Sequence, residues 1–135
     1  MSTKLEDNKA LVRRFFSAIE RGELAVFDQI VSEDYADHLA GQRPGRETLK
    51  GYFTALRAAF PDLKLPITTM VAEGDYVAVL NSVQGTHRGA FVGRQPSGNR
   101  VDAMAFQLYR IANEQLAEHW EVADFATLTR QLDGF

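Results

Sequence analysis

A chain of 135 residues, 45% hydrophobic and 24% charged, can bury one core without disulfides or a structural metal but is cramped for two full domains. Its 15 Lys plus Arg are scattered among 18 Asp plus Glu for a formal net charge of −3, which lacks the concentrated positive footprint that phosphate neutralisation needs and speaks against nucleic acid. With no cysteine, disulfides, thiolate metal sites and cysteine nucleophiles are removed together.

Thr3 followed by Glu6 has the form of a capping box and starts a helix. Behind it Leu5, Ala10, Leu11, Phe15, Ala18 and Ile19 lie near helical spacing, and Gly22 ends the element. The stretch from Met1 to Asp7 is polar, unlike the apolar core of a signal peptide, and no segment approaches the ~20 apolar residues of a membrane span, so a cytoplasmic protein is expected.

A shorter helix is predicted from Glu23 to Val31, with Leu24, Phe27, Ile30 and Val31 on one stripe; Ser32, Glu33 and Asp34 break it. Tyr35 to Leu39 reads as a short extended piece before a loop marked by Gly41, Pro44 and Gly45. Arg46 to Phe60 is a third helix, carried by Leu49, Phe53, Leu56, Ala59 and Phe60 and stopped by Pro61.

From Leu63 onward β-branched and aromatic residues replace the helix formers. Four strands fit, over Leu63 to Ala72, Tyr76 to Thr86, Arg100 to Ile111 and Gln115 to Val122, and their short links predict an antiparallel meander. A last short helix spans Asp124 to Leu132 and ends at Gly134. Three helices followed by strands is the order of an α+β domain: three amino-terminal helices packed on a curved antiparallel sheet, with a short carboxyl-terminal helix, over residues 1–135.

Strand parity locates a pocket. In Arg100 to Ile111, Val101, Ala103, Ala105, Gln107 and Tyr109 share one face, and small residues with an amide and a phenol suit the lining of a cavity. The opposite face offers Met104, Phe106 and Leu108, an apolar stripe that back-to-back dimerisation would cover. The alternative makes this stripe the core and turns the small residues to solvent.

Glu118, His119, Trp120 and Glu121 are the densest group of reactive side chains. A three-residue turn centred on Glu114 sets Gln107 opposite Glu121 and points Ala117, His119 and Glu121 into the pocket; a two-residue turn pairs Gln107 with Trp120. In the first register Glu121 is a carboxylate among apolar walls, whose proton affinity rises until it can take and return a proton. The alternative is a glutamate that sits at a strand end in water. Asp37 and His38 lie on an irregular segment of the kind that carries function. Three histidines without metal-pair spacing give no zinc site, and no dinucleotide or phosphate-loop motif is present, so neither metal nor cofactor is expected.

Several segments together resemble the SnoaL-like polyketide cyclases of the cone-shaped, nuclear transport factor-like superfamily: Asn8 to Phe16, Asp34 to His38, Gly45 to Glu47, Ala55 to Asp62, Gly85 to Gly89 with Pro96 and Gly98, and Glu118 to Asp124 with Gln131 and Leu132. The resemblance implies a dimeric α+β barrel whose cone holds a hydrophobic ligand, and a metal-free aldol ring closure in which a carboxylate removes a proton beside a carbonyl. At the position of that carboxylate this chain has Glu121, with Gln107 where the cyclases have a histidine and Asp37 where they have a polar amide.

Glu121 is thereby expected as acid/base, Gln107 as oxyanion donor and Asp37 with His119 as orienting groups. Tyr35, His38, Phe53, Ala105, Tyr109, His119 and Asp124 are the expected ligand contacts. The expected partner is an apolar small molecule, with a second copy of the chain on the outer sheet face. Two other functions fit the scaffold: a dimeric module that binds an apolar ligand without reaction, and epoxide hydrolysis with Asp124 or Glu121 activating water beside an arginine.

Overall fold

The computed structural model describes residues 3–39 and 41–135; Met1 and Ser2 of the polar amino-terminal stretch and Ala40 of the loop lie outside them. Helix α1 (Lys4–Arg21) opens on the expected capping box, with Thr3 Oγ1 accepting the Glu6 N–H at 3.1 Å and the Glu6 carboxylate accepting the Thr3 N–H at 3.3 Å. Gly22 closes it at φ 72°, a left-handed cap that favours glycine. The buried stripe is Asn8, Val12, Phe15, Phe16, Ala18 and Ile19, while Leu5 is exposed, so the core face is rotated from the one the sequence pattern suggested.

The second helix is only a 3₁₀ turn (Leu24–Val26) running into one turn of α-helix, α2 (Phe27–Ile30). Val31, expected at its end, instead begins β1 (Val31–Asp37). Then come α3 (Arg46–Ala59), β2 (Ile67–Glu73), β3 (Tyr76–Thr86), β4 (Arg100–Ala112), β5 (Gln115–Ala123) and α4 (Phe125–Leu132).

The sheet has five strands rather than four, in the order β1-β5-β4-β3-β2. β2 to β5 form the antiparallel meander, but β1 joins the edge of β5 in parallel, with Asp37 paired to His119. Irregularities in the β1/β5, β2/β3 and β4/β5 ladders each bend the sheet locally.

The core lies between the helices and the inner sheet face. Phe15 ties it together, with ring centroids 5.0 Å from Phe27, 5.9 Å from Phe53 and 5.8 Å from Tyr109, so α1, α2, α3 and β4 meet at one aromatic node. Val101, Ala103, Ala105 and Tyr109 are buried on the inner face, as parity predicts, and Met104 and Phe106 are exposed on the outer one. The loop after β3 caps α3, since the N–H groups of Arg88 and Gly89 donate to the Ala59 carbonyl at 2.8 and 3.1 Å. Among the described residues no helix is long and apolar enough to cross a membrane.

Candidate active site

The β4/β5 hairpin decides what faces the interior. Its turn is the two-residue form, with Asn113 at φ 53° and Glu114 at φ 62°, and Ala112 pairs with Gln115 and Ile111 with Leu116. That register alone would set Gln107 against Trp120. The ladder then skips Ala117 and resumes at Arg110 with Glu118, so Gln107 faces Glu121. The expected pairing is therefore reached by a bulge rather than by a three-residue turn. Leu116, not Ala117, is the buried residue before the bulge; His119 and Glu121 are the inward residues after it.

Around Gln107 the inner face carries one continuous polar network. Its Oε1 accepts the Tyr109 hydroxyl at 2.7 Å and His119 Nε2 at 2.9 Å, and its Nε2 donates to Asn81 Oδ1 at 2.8 Å. His119 Nδ1 lies 3.0 Å from Asp37 Oδ1, which also accepts the Leu39 N–H at 2.9 Å. The His119 ring stacks 4.7 Å from that of Tyr109 and 6.3 Å from that of Tyr35. Glu121 Oε1 is 3.6 Å from His119 Nε2, close enough for charge attraction.

This network borders two small interior lobes, of about 50 Å³ and 20 Å³, that share Tyr52, Phe53, Gln107, Tyr109 and Glu121 as walls. Phe16, Leu56 and Val83 add to the first lobe, and Tyr35, Asp37 and His119 to the second. Burial raises the proton affinity of the Glu121 carboxyl from its ordinary value; His119 beside it pulls the other way and Asp37 adds to the rise. Burial, with Glu121 and then Asp37 nearby, pushes the Tyr52 phenol up to about 12. Tyr35 and Tyr109 are raised well above the usual phenol value, chiefly by burial, so all three are neutral donors at physiological pH. The Tyr35 hydroxyl is buried without a partner and borders the second lobe.

Of the residues singled out in the sequence, Glu121, Gln107, Asp37, Tyr35, Phe53, Tyr109 and His119 are brought together here. Ala105 is buried on the same face but lies one pair further along, opposite Asn81 and Ala123, away from the lobes. His38 and Asp124 do not join the cavity. His38 turns to the outer face, stacking 4.9 Å from Trp120 and bonding Glu118 at 2.7 Å, because neighbours along a strand point to opposite sides. Asp124 caps α4, accepting the Thr127 N–H at 3.1 Å.

Two residues went unread in the sequence. Tyr52 looks like any aromatic on a helix; nothing local marks it. Asn81 did leave a signal, as a lone amide between Val77, Val79 and Val83 on the inward phase of β3. Among the described residues no arginine or lysine lines either lobe, so the carboxylate and arginine set expected for epoxide hydrolysis is not assembled there. Nor do three or more His, Asp or Glu of the described residues form a group able to hold a metal ion.

The sequence pattern of the SnoaL-like polyketide cyclases matches residues 10–132. The chain belongs to the SnoaL-like polyketide cyclase family. Among solved structures it is similar to TsrD from Streptomyces laurentii, at 22% identity with a TM-score of 0.91 over 99% of this chain and 100% of that one. It is likewise similar to IdmH from Streptomyces antibioticus, a candidate polyketide cyclase, at 26% identity with a TM-score of 0.83 over 93% of this chain and 98% of that one. AclR from Streptomyces galilaeus, a candidate hydroxylase, is 28% identical with a TM-score of 0.86 over 98% of this chain and 99% of that one. No curated protein matches the sequence. Proteins of similar fold are thus named for different chemistries, a candidate cyclase and a candidate hydroxylase, and within a SnoaL-like scaffold the reaction has to be argued from the site.

Proposed function

We propose that the chain is a SnoaL-like enzyme in which Glu121 abstracts a proton beside a carbonyl and returns it to the oxygen anion formed later, without a cofactor. The observation that carries this reading is the largely buried Glu121 carboxyl, whose side chain keeps only 18% of its surface exposed. Desolvation brings its proton affinity toward the working range of a general base, and it borders both lobes of the cavity. In an aldol ring closure Glu121 would take the carbon-bound proton, and the resulting enolate would attack a second carbonyl. The alkoxide would then recover the proton from the Glu121 carboxylic acid, which restores the starting state.

Negative charge developing on the carbonyl oxygen needs donors in place before the reaction. The unpartnered Tyr35 hydroxyl, the Tyr52 hydroxyl and the second N–H of Gln107 fit that role. Two carboxylates and no lysine or arginine of the described residues on the walls favour a neutral, largely apolar carbonyl compound over a carboxylate or phosphate ester. Turnover of neutral β-keto esters by the wild type and by Glu121→Gln is the direct test; equal rates would discard Glu121 as the base.

A second reading is a binding module that holds an apolar molecule unchanged. The Gln107 carbonyl favours it, because Tyr109 and His119 already occupy that acceptor and hold the amide as a fixed wall of the site. A ligand that co-purifies unaltered, with no turnover of carbonyl substrates, would support it.

We further propose a homodimer across the outer sheet face. Met104, Phe106 and Val122 are 51%, 60% and 75% exposed there, an apolar patch of the kind soluble monomers seldom leave bare.

A further inference from the structure

Asn81 sits on the inner phase of β3 with 0% exposure, and an amide buried on an apolar strand face is costly unless its hydrogen bonds are made. Its Nδ2 donates to the Ser82 main-chain oxygen at 3.1 Å. A carbonyl oxygen only accepts, so the Asn81 amide has one permitted orientation, with Oδ1 toward Gln107. Oδ1 in turn accepts only, and the Gln107 atom 2.8 Å away must be Nε2.

That choice turns Gln107 Oε1 toward the Tyr109 hydroxyl and toward His119 Nε2. Were Gln107 flipped, its oxygen would oppose Asn81 Oδ1 with no proton between them. Three acceptors in series therefore fix the polarity of the next link: His119 Nε2 carries a hydrogen. At the other edge of the ring, the contact between Nδ1 and Asp37 Oδ1 requires one more proton, held by either atom.

We infer that Asn81 is a positioning residue that acts through Gln107 to hold His119 Nε2 as a fixed proton donor, which removes His119 as a base and leaves Glu121 as the free proton acceptor of the cavity. The clause on Glu121 rests on the proposed function; the protonation of His119 does not. That N–H is directed at Gln107 Oε1, and the same ring edge lies 3.6 Å from Glu121 Oε1, near enough for its partial positive charge to act on the carboxylate.

Nitrogen-15 NMR of histidine-labelled protein tests this without substrate, with the His119 signals identified by their loss in His119→Gln. In the wild type the His119 Nε2 resonance is expected to be of the protonated type at neutral pH. Asn81→Leu frees the Gln107 amide to rotate, and the Nε2 signal should move toward the unprotonated type or divide between two tautomers.

Gln107→Met removes the acceptor directly and should reproduce the Asn81→Leu shift, which covers the case in which the Asn81 variant does not fold. An unprotonated Nε2 in the wild type would overturn the inference, as would a folded Asn81→Leu protein whose His119 signals are unchanged. Loss of Glu121 as the base in turnover assays would leave these NMR outcomes as they stand.

Discussion

Gln107 lies directly across the β4/β5 ladder from Glu121, although only two residues form the turn that joins the strands. The pairing sets an amide beside the carboxyl whose proton affinity burial raises. Replacing Glu121 with Gln keeps the shape and removes the base, so kcat on an accepted carbonyl substrate should fall by about 10²–10⁴-fold, the usual range for loss of a general base. Steady-state kinetics on β-keto esters checks it, with KM changed much less than kcat.

The same carboxyl has a signature in stability against pH. Its folded proton affinity exceeds the unfolded one, so the folded chain binds this proton more tightly. Below the ordinary glutamate value of about 4.3 the group is protonated in both states and contributes no penalty. As pH rises from there through the raised value, folded stability declines, and the full penalty is present above it. Glu121→Gln should therefore melt higher than the wild type at pH 8 and equal to it near pH 4. Carboxyls held low, such as Asp62 by the Thr86 main-chain and side-chain donors and Glu118 by Arg110, have the opposite slope but cancel between the two proteins. Thermal unfolding of both across that range is the measurement.

Gly89 and Gly51 should respond in opposite directions to alanine. A Cβ at Gly89 would stand 2.5 Å from the Ala58 carbonyl oxygen, a backbone atom that cannot step aside without moving the end of α3. Gly89→Ala should cost about 1–3 kcal/mol, in the range of overpacking. At Gly51, within α3, nothing lies within 4 Å of such a Cβ, and Gly51→Ala should gain about 0.5–1 kcal/mol from helix propensity. Urea unfolding of the pair reads both.

On the outer face, Phe106→Arg places a charge at the middle of the apolar patch. Light scattering should give a dimer for the wild type and a monomer for the variant at the same micromolar concentration. A monomeric wild type would dispose of the proposed interface.

Much of the architecture was legible because its signals are local. The box of Thr3 and Glu6, the stop at Pro61 and the alternation through β4 each act within a few residues, and the limits of β3 matched the structure residue for residue. β1 was not read as a full strand because a parallel partner announces itself through no adjoining turn, and Ser32, Glu33 and Asp34 look like a break. The facing of Gln107 and Glu121 was named, yet it depends on the surplus residue Ala117, which no turn rule contains. His38, beside Asp37, takes the other side of an extended chain and so lies outside the two inner lobes.

The placement of β1 fixes when the chain can assemble its acid and imidazole pair. Asp37 and His119 are 82 residues apart, and the edge that receives β1 does not exist until β5 has been made. A nascent chain can form α1 early, but the segment bearing Asp37 has to wait unpaired until β2 to β5 have been made. Closing a contact so distant in sequence is slow by its topology. The cavity and its chemistry are therefore a late product of folding, available only once the whole meander is in place.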